Sequence, residues 1–375
     1  MKQFDRTYAK INLSAIRHNI LEVRRNIKKE TKIMAIVKAD AYGHGAVPVA
    51  KALCDIVDAY GVATIEEALE LRENGLKQMI LILGYTGECW YEEVVRNHIS
   101  QTIYTYEMAK KLSDIAVSLG KKTSIHIKLD TGMGRIGFAP TKENAKIVKA
   151  ISQLPGIIIE GLFTHFARAD EKTIAPAKEP FDKYMAFVKM LEEEGIDIPI
   201  KHVSNSASII GFPEANLDMV RSGITTYGLY PSEDVRKDVL ILKPAMEWKT
   251  KVSYVKTVEA GTSIGYGGTF TAKKTMRIAT IPVGYADGMK RALSGCGRVI
   301  IRGQYAPIVG RVCMDQFMVD VSEITDVKEG EEVTIFGVDG KASIPVEEIA
   351  GLSHSFNYEF VCSVSNRVPR MYVEQ

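Results

Sequence analysis

Little in this chain commits it to a special environment. Its five cysteines, Cys54, Cys89, Cys296, Cys313 and Cys362, form no Cys-x-x-Cys pair. An odd, scattered set is no disulfide framework and reads as reduced thiols in a cytoplasmic protein. No apolar run is long enough to span a bilayer. The first residues, MKQFDRTYAK, carry no apolar core, so no signal peptide is expected. A net charge of +2 gives no reason to expect nucleic acid or a membrane as partner. Low-complexity segments and fixed-length repeats are absent. What remains is a chain of 375 residues, 46% hydrophobic and 25% charged, which is ordinary for a globular protein. The length suits two domains, or one barrel plus a smaller domain.

The apolar pattern gives the architecture. Thr7 to Leu13 alternates like a strand, and Ser14 is placed to N-cap the helix after it. Strands are then expected at 33–37, 59–63, 79–83, 102–104, 124–129, 157–164, 199–203 and 219–220, each followed by helical or irregular sequence. The helices include one capped by Thr64 and ending at Gly75, and a long one from Phe181 to Gly195. Eight strands alternating with helices imply an α/β fold with a closed (β/α)8, TIM-like barrel, against an open doubly wound sheet as the competitor. Beyond Pro244 the texture changes to short alternating segments, 247–257, 276–283, 298–308, 317–321 and 332–336. These read as a C-terminal β-rich domain. The expected division is 1–238 for the barrel and 239–375 for the β-domain, with the strand near 7–13 a candidate to join the latter.

Barrel active sites lie at the C-terminal ends of the strands. There the chain places Lys38, Thr64, Tyr85, Tyr104, Lys128, Asp130, His165, Ser204, Asn205, Ser206 and Arg221. Lys38 ends the run Ile33 to Val37. A lysine at the edge of an apolar core is either a snorkelling surface group or, with its pKa lowered by desolvation, a Schiff-base nucleophile and proton carrier. Gly132, Gly134 and Gly137 match a dinucleotide fingerprint, but Phe138-Ala139-Pro140 breaks the helix that the fingerprint must open. The glycines instead shape a loop presenting Arg135. Ser204-Asn205-Ser206 follows strand seven, and Arg221-Ser222-Gly223-Ile224 follows strand eight. Loops in those places often bind phosphate, although serine, asparagine and glycine also supply ordinary caps and turns. His165 has no neighbours with zinc-ligand spacing, so no metal is expected and a hydrogen-bonding role is. A lysine and a phosphate site on a barrel suggest either a Schiff-base aldolase or pyridoxal phosphate.

Several long motifs in order then meet a family. AIVKADAYGHG (35–45), LDTGMGRIGF, THFARAD, SNSAS, RSGI, GYGGTF, VGYADG, GRVCMDQ and NYEFVCSVSNRVPR together closely resemble the alanine racemases, along almost the whole chain. The resemblance implies an N-terminal barrel, a C-terminal β-domain, pyridoxal 5′-phosphate as cofactor, and a homodimer whose active sites mix residues of both chains. By motif match Lys38 resembles the Schiff-base lysine. Tyr42, Ser206, Gly223, Ile224 and Tyr358 resemble the phosphate contacts, with Asn205 beside them. Arg221 resembles the partner of the pyridine nitrogen, with His165 linked to it. Arg135 resembles the arginine near the cofactor's phenolic oxygen and the substrate carboxylate, and Lys128 the lysine that is often carbamylated to hold it. From the other subunit, Tyr266 resembles a second base, Met314 and Asp315 the carboxylate-binding segment, and Tyr285 an entrance residue.

Ser222 departs from the family, which usually has proline there, and Thr225-Thr226 replaces smaller or more apolar residues. The implied reaction is interconversion of L- and D-alanine by two bases, Lys38 on one face of the α-carbon and Tyr266 on the other, supplying D-alanine for peptidoglycan. The alternative within the fold is a serine or broad-specificity racemase. A barrel decarboxylase is disfavoured by Arg221, because that class places a carboxylate at the pyridine nitrogen. A cofactor carrier without turnover would leave Tyr266, Met314 and Asp315 without a role.

Overall fold

A computed structural model describes residues 6–374. It divides into two compact units. The larger comprises Ala15–Ala41 and Ala46–Lys243, and the smaller comprises the residues up to Ser14, Tyr42–Gly45 and the chain from Pro244.

The larger unit is the (β/α)8 barrel. Its strands are β2 (Lys32–Ile36), β3 (Ala59–Val62), β4 (Met79–Ile82), β5 (Ser100–Ile103), β6 (Thr123–Lys128), β7 (Ile157–Phe163), β8 (Ile200–His202) and β9 (Met219–Ser222). All pairs are parallel, in the order β8-β7-β6-β5-β4-β3-β2-β9. The two ends of that path are tied by the backbone. Asp218 N–H donates to the Lys201 carbonyl at 3.1 Å, and Arg221 N–H to the Ser204 carbonyl at 3.1 Å. The runs Ile33–Val37 and Ile80–Ile82 are buried on both faces, as strands covered by barrel core and helix must be.

One side chain links two strand ends. Thr64 caps the helix Ile65–Glu73 in a reciprocal capping box with Glu67. The Glu67 carboxylate also accepts Ala63 N–H at 2.7 Å, after β3, and Ala39 N–H at 2.7 Å, after β2. It therefore fixes the segment that carries Lys38.

The smaller unit holds β1 (Thr7–Asn12), which pairs antiparallel with β10 (Met246–Lys251) and parallel with β20 (Arg370–Val373). Its other strands are β11 (Tyr254–Val258), β12 (Ser263–Ile264), β13 (Phe270–Thr271), β14 (Met276–Ile281), β15 (Arg298–Ile301), β16 (Gln304–Val309), β17 (Phe317–Asp320), β18 (Glu332–Asp339) and β19 (Ala342–Ile344). Ten of these strands form one sheet, ordered β11-β14-β17-β16-β15-β18-β10-β1-β20 with β19 on β18, and β12 pairs with β13. Trp248, Phe336 and Phe360 interlock edge to face at its core.

Local differences from the sequence reading have physical causes. The first helix starts at Leu13, so Ser14 lies inside it and is not its cap. The expected strand 298–308 is a hairpin, β15–β16, turning at Arg302-Gly303, both at positive φ (53° and 69°). That two-residue turn normally advertises itself with asparagine or aspartate in the first place. The segment 247–257 is likewise two strands. The long helix begins at Ala175, ahead of Pro180, which costs it one backbone bond in its second turn.

Glu67→Ala is expected to lower the free energy of unfolding by about 1–3 kcal/mol, because it orphans backbone donors after both β2 and β3. The neighbouring Glu66→Ala should stay within about 0.5 kcal/mol of the parent. Urea unfolding of the two variants would show it, and equal midpoints would mean that Glu67 does not hold the Lys38 segment.

Candidate active site

Lys38 lies one residue beyond β2 and opens a turn of unusual hand. Ala39, Asp40, Ala41 and Tyr42 all lie at φ between 51° and 53°, and Gly43 at 80°. For non-glycine residues this left-handed backbone costs about 1–2 kcal/mol each. It persists where surrounding contacts over-determine it. Within the barrel unit, Ala39 N–H is held by Glu67, Ala41 N–H by the Val37 carbonyl at 2.8 Å, and the Asp40 carboxylate accepts Ala46 N–H at 2.7 Å. In the smaller unit, Arg370 Nε donates to the Gly43 carbonyl at 2.9 Å, and a Cβ at Gly43 would stand 2.5 Å from the Val361 carbonyl oxygen. The Tyr42 and Tyr358 rings lie 6.1 Å apart there, and burial raises the Tyr42 phenol well above its ordinary pKa.

At the mouth of the barrel, β6, β7, β8 and β9 bring cations together. Arg221, on β9, is buried. Its two terminal nitrogens donate to the carbonyls of His202 (2.9 Å), Thr164 (2.8 Å) and Val203 (3.0 Å), and to His202 Nδ1 (3.0 Å) and His165 Nδ1 (3.5 Å). Burial lowers its pKa to about 10, which leaves it a cation at neutral pH. Lys128, at the end of β6, is buried 5.5 Å from the Phe163 ring centre and donates to the Leu129 carbonyl. Its pKa falls to about 8, through burial first and then the charges of Arg221 and Arg135, with Asp130 opposing. His165 is driven to about 3, by burial and then by Arg221, Arg135, Lys128 and Lys38. The charges of four residues from four places in the sequence therefore act on one neutral imidazole, with Arg221 in contact with it.

The glycine loop after β6 behaves as a presenting loop. The Asp130 carboxylate accepts Gly132 and Gly134 N–H at 3.0 Å each, and Phe138 returns to pair with Leu129. Gly137 cannot carry a side chain, since a Cβ would meet Asp130 N at 2.5 Å. Arg135 stands exposed at the tip.

After β8 and β9 the two polar loops meet. Ser206 Oγ accepts Gly223 N–H at 2.9 Å and bonds Thr225 Oγ1 at 2.9 Å. Ser222 Oγ joins Thr225 Oγ1 at 3.0 Å and Thr226 Oγ1 at 2.8 Å. The departures Ser222, Thr225 and Thr226 thus form one buried hydroxyl network under Gly223 and Ile224. Asn205 Oδ1 is committed to Ser208 N–H at 3.1 Å, as an N-cap. The helix it caps, Ser206–Gly211, is too short for a large dipole, so hydroxyls and backbone N–H groups dominate this corner.

In the smaller unit, Tyr285 N–H donates to the Cys313 carbonyl and Ala286 N–H to the Met314 carbonyl, both at 3.0 Å, so Tyr285 and Met314-Asp315 share one surface. Asp315 is paired with Arg367 at 2.8 Å. Tyr266, Met314 and Tyr285 are 70%, 52% and 45% exposed. Sequence reasoning missed His126, His202 and Glu160, which lie behind Arg221. Only a polar residue on each of three barrel strands could have signalled them.

The description "Alanine racemase, N-terminal domain" matches residues 11–231, and "Alanine racemase, C-terminal domain" matches 245–372. The chain belongs to the alanine racemase family. It is 48% identical over 366 residues to alanine racemase of Clostridium perfringens, covering 97% of this chain and 95% of that one. It is 49% identical over 367 residues to alanine racemase of Methanococcus maripaludis, covering 98% of each. The structure of alanine racemase from Clostridium difficile superposes with a TM-score of 0.96 at 44% identity, covering 100% of this chain and 97% of that one. The Bacillus anthracis alanine racemase, solved with bound L-Ala-P, superposes with a TM-score of 0.93 at 35% identity, again covering 100% and 97%. Among the described residues no helix is long and apolar enough to cross a membrane.

The site residues of this family member fit pyridoxal 5′-phosphate on chemical grounds. Hydroxyls and N–H groups converge at Ser206, Gly223 and Thr225, Ser204 Oγ is buried without a partner among the described residues, and the surrounding charge is cationic. Such a set suits a phosphate and an aldehyde beside an amine.

Because His165 and His202 both sit far below the ordinary imidazole pKa of about 6.5, the folded protein keeps them neutral while the unfolded chain protonates them. The unfolded state then binds more protons, so stability falls as pH drops from about 6.5 toward 3. The thermal midpoint should decline between about pH 7 and pH 5, and less steeply in His165→Gln. An unchanged slope in that variant would show that His165 is not held neutral.

Proposed function

We propose that this protein interconverts L- and D-alanine with pyridoxal 5′-phosphate, by a two-base mechanism in a homodimer. The observation that carries the reading is buried Arg221 held against His165, beside the Ser206–Gly223 hydroxyl and N–H cluster, in a chain of the alanine racemase family.

When bound, pyridoxal 5′-phosphate supplies an aldehyde for the substrate amine and a conjugated ring that acidifies the α-carbon. Ser206, Gly223 and Ile224 would hold its phosphate, with Tyr42 and Tyr358 assigned there by motif match, and Lys38 would hold its aldehyde carbon. Lys38 Nζ then takes or returns the α-proton on one face. Tyr266 of the partner subunit does so on the other, and the exposure of Tyr266, Tyr285 and Met314 supports a covering partner. A phenol of ordinary pKa about 10 needs help to act as a base. His165 can give it. Its Nδ1 faces the donor-only Arg221, so the ring proton sits on Nε2, where it can donate to a phenolate and stabilise it.

Arg221 also decides what does not happen. A guanidinium has only donors and stays charged, so beside the cofactor's ring nitrogen it would keep that nitrogen unprotonated. Such an arrangement would weaken the electron sink and limit transamination. Arg135 binds the substrate carboxylate with Met314 and Asp315 of the partner subunit. Lys128, at about 8, has a substantial neutral amine fraction near neutral pH. That amine can attack carbon dioxide and lose a proton, giving a carbamate that orients Arg135. The product would feed peptidoglycan synthesis in the cytoplasm.

The deciding measurement is α-hydrogen exchange in heavy water with L-alanine and, separately, L-serine, followed by chiral analysis. D-alanine should form much faster than D-serine, and faster D-serine would move the substrate assignment. Tyr266→Phe should lose roughly a hundredfold or more of the rate, unequally from the two enantiomers. Equal, parent-level rates from both would remove Tyr266 as a base.

A further inference from the structure

A line of polar side chains runs through the barrel behind Arg221. Arg221 NH1 meets His202 Nδ1 at 3.0 Å, His202 Nε2 meets His126 Nδ1 at 2.9 Å, and His126 Nε2 meets the Glu160 carboxylate at 3.2 Å. Ser100 Oγ donates to the same carboxylate oxygen at 2.7 Å. Both histidines are fully buried, and His202 stacks on Phe163 with ring centres 4.9 Å apart. Ser100 opens β5, and Arg221 is the third residue of β9. The line therefore runs from the N-terminal side of the barrel toward its catalytic face.

The chemistry of the two ends fixes the direction of every bond. A guanidinium only donates, so His202 Nδ1 must be bare. Neutral His202 then carries its proton on Nε2 and donates it to His126 Nδ1. That nitrogen must also be bare, so His126 bears its proton on Nε2 and donates it to Glu160. A carboxylate only accepts, so the far end demands the same polarity. An imidazolium at His126 would turn an N–H of His202 against Arg221. Glu160 thus receives the last donor of the line and brings a negative charge to the far end of a path from a buried cation.

The backbone is built for this. Ile125 pairs with Ile159 and His126 with Gly161, so Glu160 is an extra residue, a bulge in β7 that aims its side chain at His126. Gly161 leaves the room, since a Cβ there would lie 2.2 Å from His126 Nδ1. Burial raises the Glu160 carboxyl, and the hydrogen bonds from His126 and Ser100 and the charge of Lys32 oppose it.

We propose that Glu160 is a positioning residue for Arg221, acting through His126 and His202, whose single proton arrangement presents a bare nitrogen to the guanidinium and locks its orientation. Its bearing on catalysis rests on Arg221 facing the cofactor's ring nitrogen. The polarity of the line does not.

The cofactor-loaded protein, labelled with 15N in its seven histidines, provides the test by NMR of the ring nitrogens. Both His126 and His202 should be neutral, with protonated Nε2 and bare Nδ1. An Nδ1–H on either ring in the parent protein overturns the proposal. In Glu160→Leu the His126 Nε2–H loses its acceptor, and the His202 ring signal, one residue further along, should move with it. Glu160→Gln keeps an acceptor oxygen and should restore both signals. A His202 signal unmoved in Glu160→Leu reduces Glu160 to a local contact and overturns the relay. Titration of the cofactor-free protein with pyridoxal phosphate should show affinity lower by about tenfold in Glu160→Leu, the worth of one buried hydrogen bond, and regained in Glu160→Gln. A displaced His202 signal with unchanged affinity would sustain the relay and overturn the placement of Arg221 at the ring nitrogen.

Discussion

The site depends on one buried cation, Arg221, with no ion-pair carboxylate among the described residues. Arg221 is held by three backbone carbonyls and two imidazoles, all of which can only accept from it in the arrangement found. Such a group is expensive to bury, and removing its partners would cost more still. After burial, its charge is the next largest influence on the protonation of its surroundings. His165 and His202 are kept neutral, and Lys128 is drawn down toward neutrality. Burial and this guanidinium together give an amine with a neutral fraction on one side and a donor imidazole on another.

The second constraint is steric. Four consecutive residues after Lys38 are left-handed, and none of them is glycine. The barrel could have left β2 by an ordinary turn, at lower backbone energy. The strained path fixes where the chain goes immediately after the lysine, and Glu67, which accepts Ala39 N–H, and Asp40, which accepts Ala46 N–H, keep it there. Strain of this kind concentrates at functional positions. It explains why the helix cap at Thr64, which on its own is routine, carries a second duty through Glu67.

Much of this was legible beforehand. Strands buried on both faces show as short continuous apolar runs, so the alternation of eight strands with helices was visible, as was the polar ring at their ends. The glycines of residues 132–137 could be separated from a nucleotide loop because Pro140 forbids the required helix. Positive φ was not legible at Ala39, Asp40, Ala41 and Tyr42, because nothing in those side chains announces it. The turn at Arg302-Gly303 was not legible either, because arginine in its first place does not advertise positive φ. Ser222, Thr225 and Thr226 looked like departures from a pattern. In three dimensions they form one hydroxyl network around Ser206, replacing the stiffness of a proline by hydrogen bonds.

The least legible feature was the polar line behind Arg221, and the reason is instructive. His126, Glu160 and His202 each lie on a strand, spaced far apart, in segments whose apolar content is unremarkable. A single polar residue in a barrel strand reads as a capped core group. Only the bulge at Glu160, which shifts β7 by one residue against β6, turns these into neighbours. A bulge changes which face a side chain occupies without changing composition, so periodicity cannot find it. Once found, the line needs no adjustable assumption. A donor-only cation at one end and an acceptor-only carboxylate at the other leave each imidazole one neutral tautomer. The barrel interior, usually read as packing alone, here carries orientation from one end of the strands to the other.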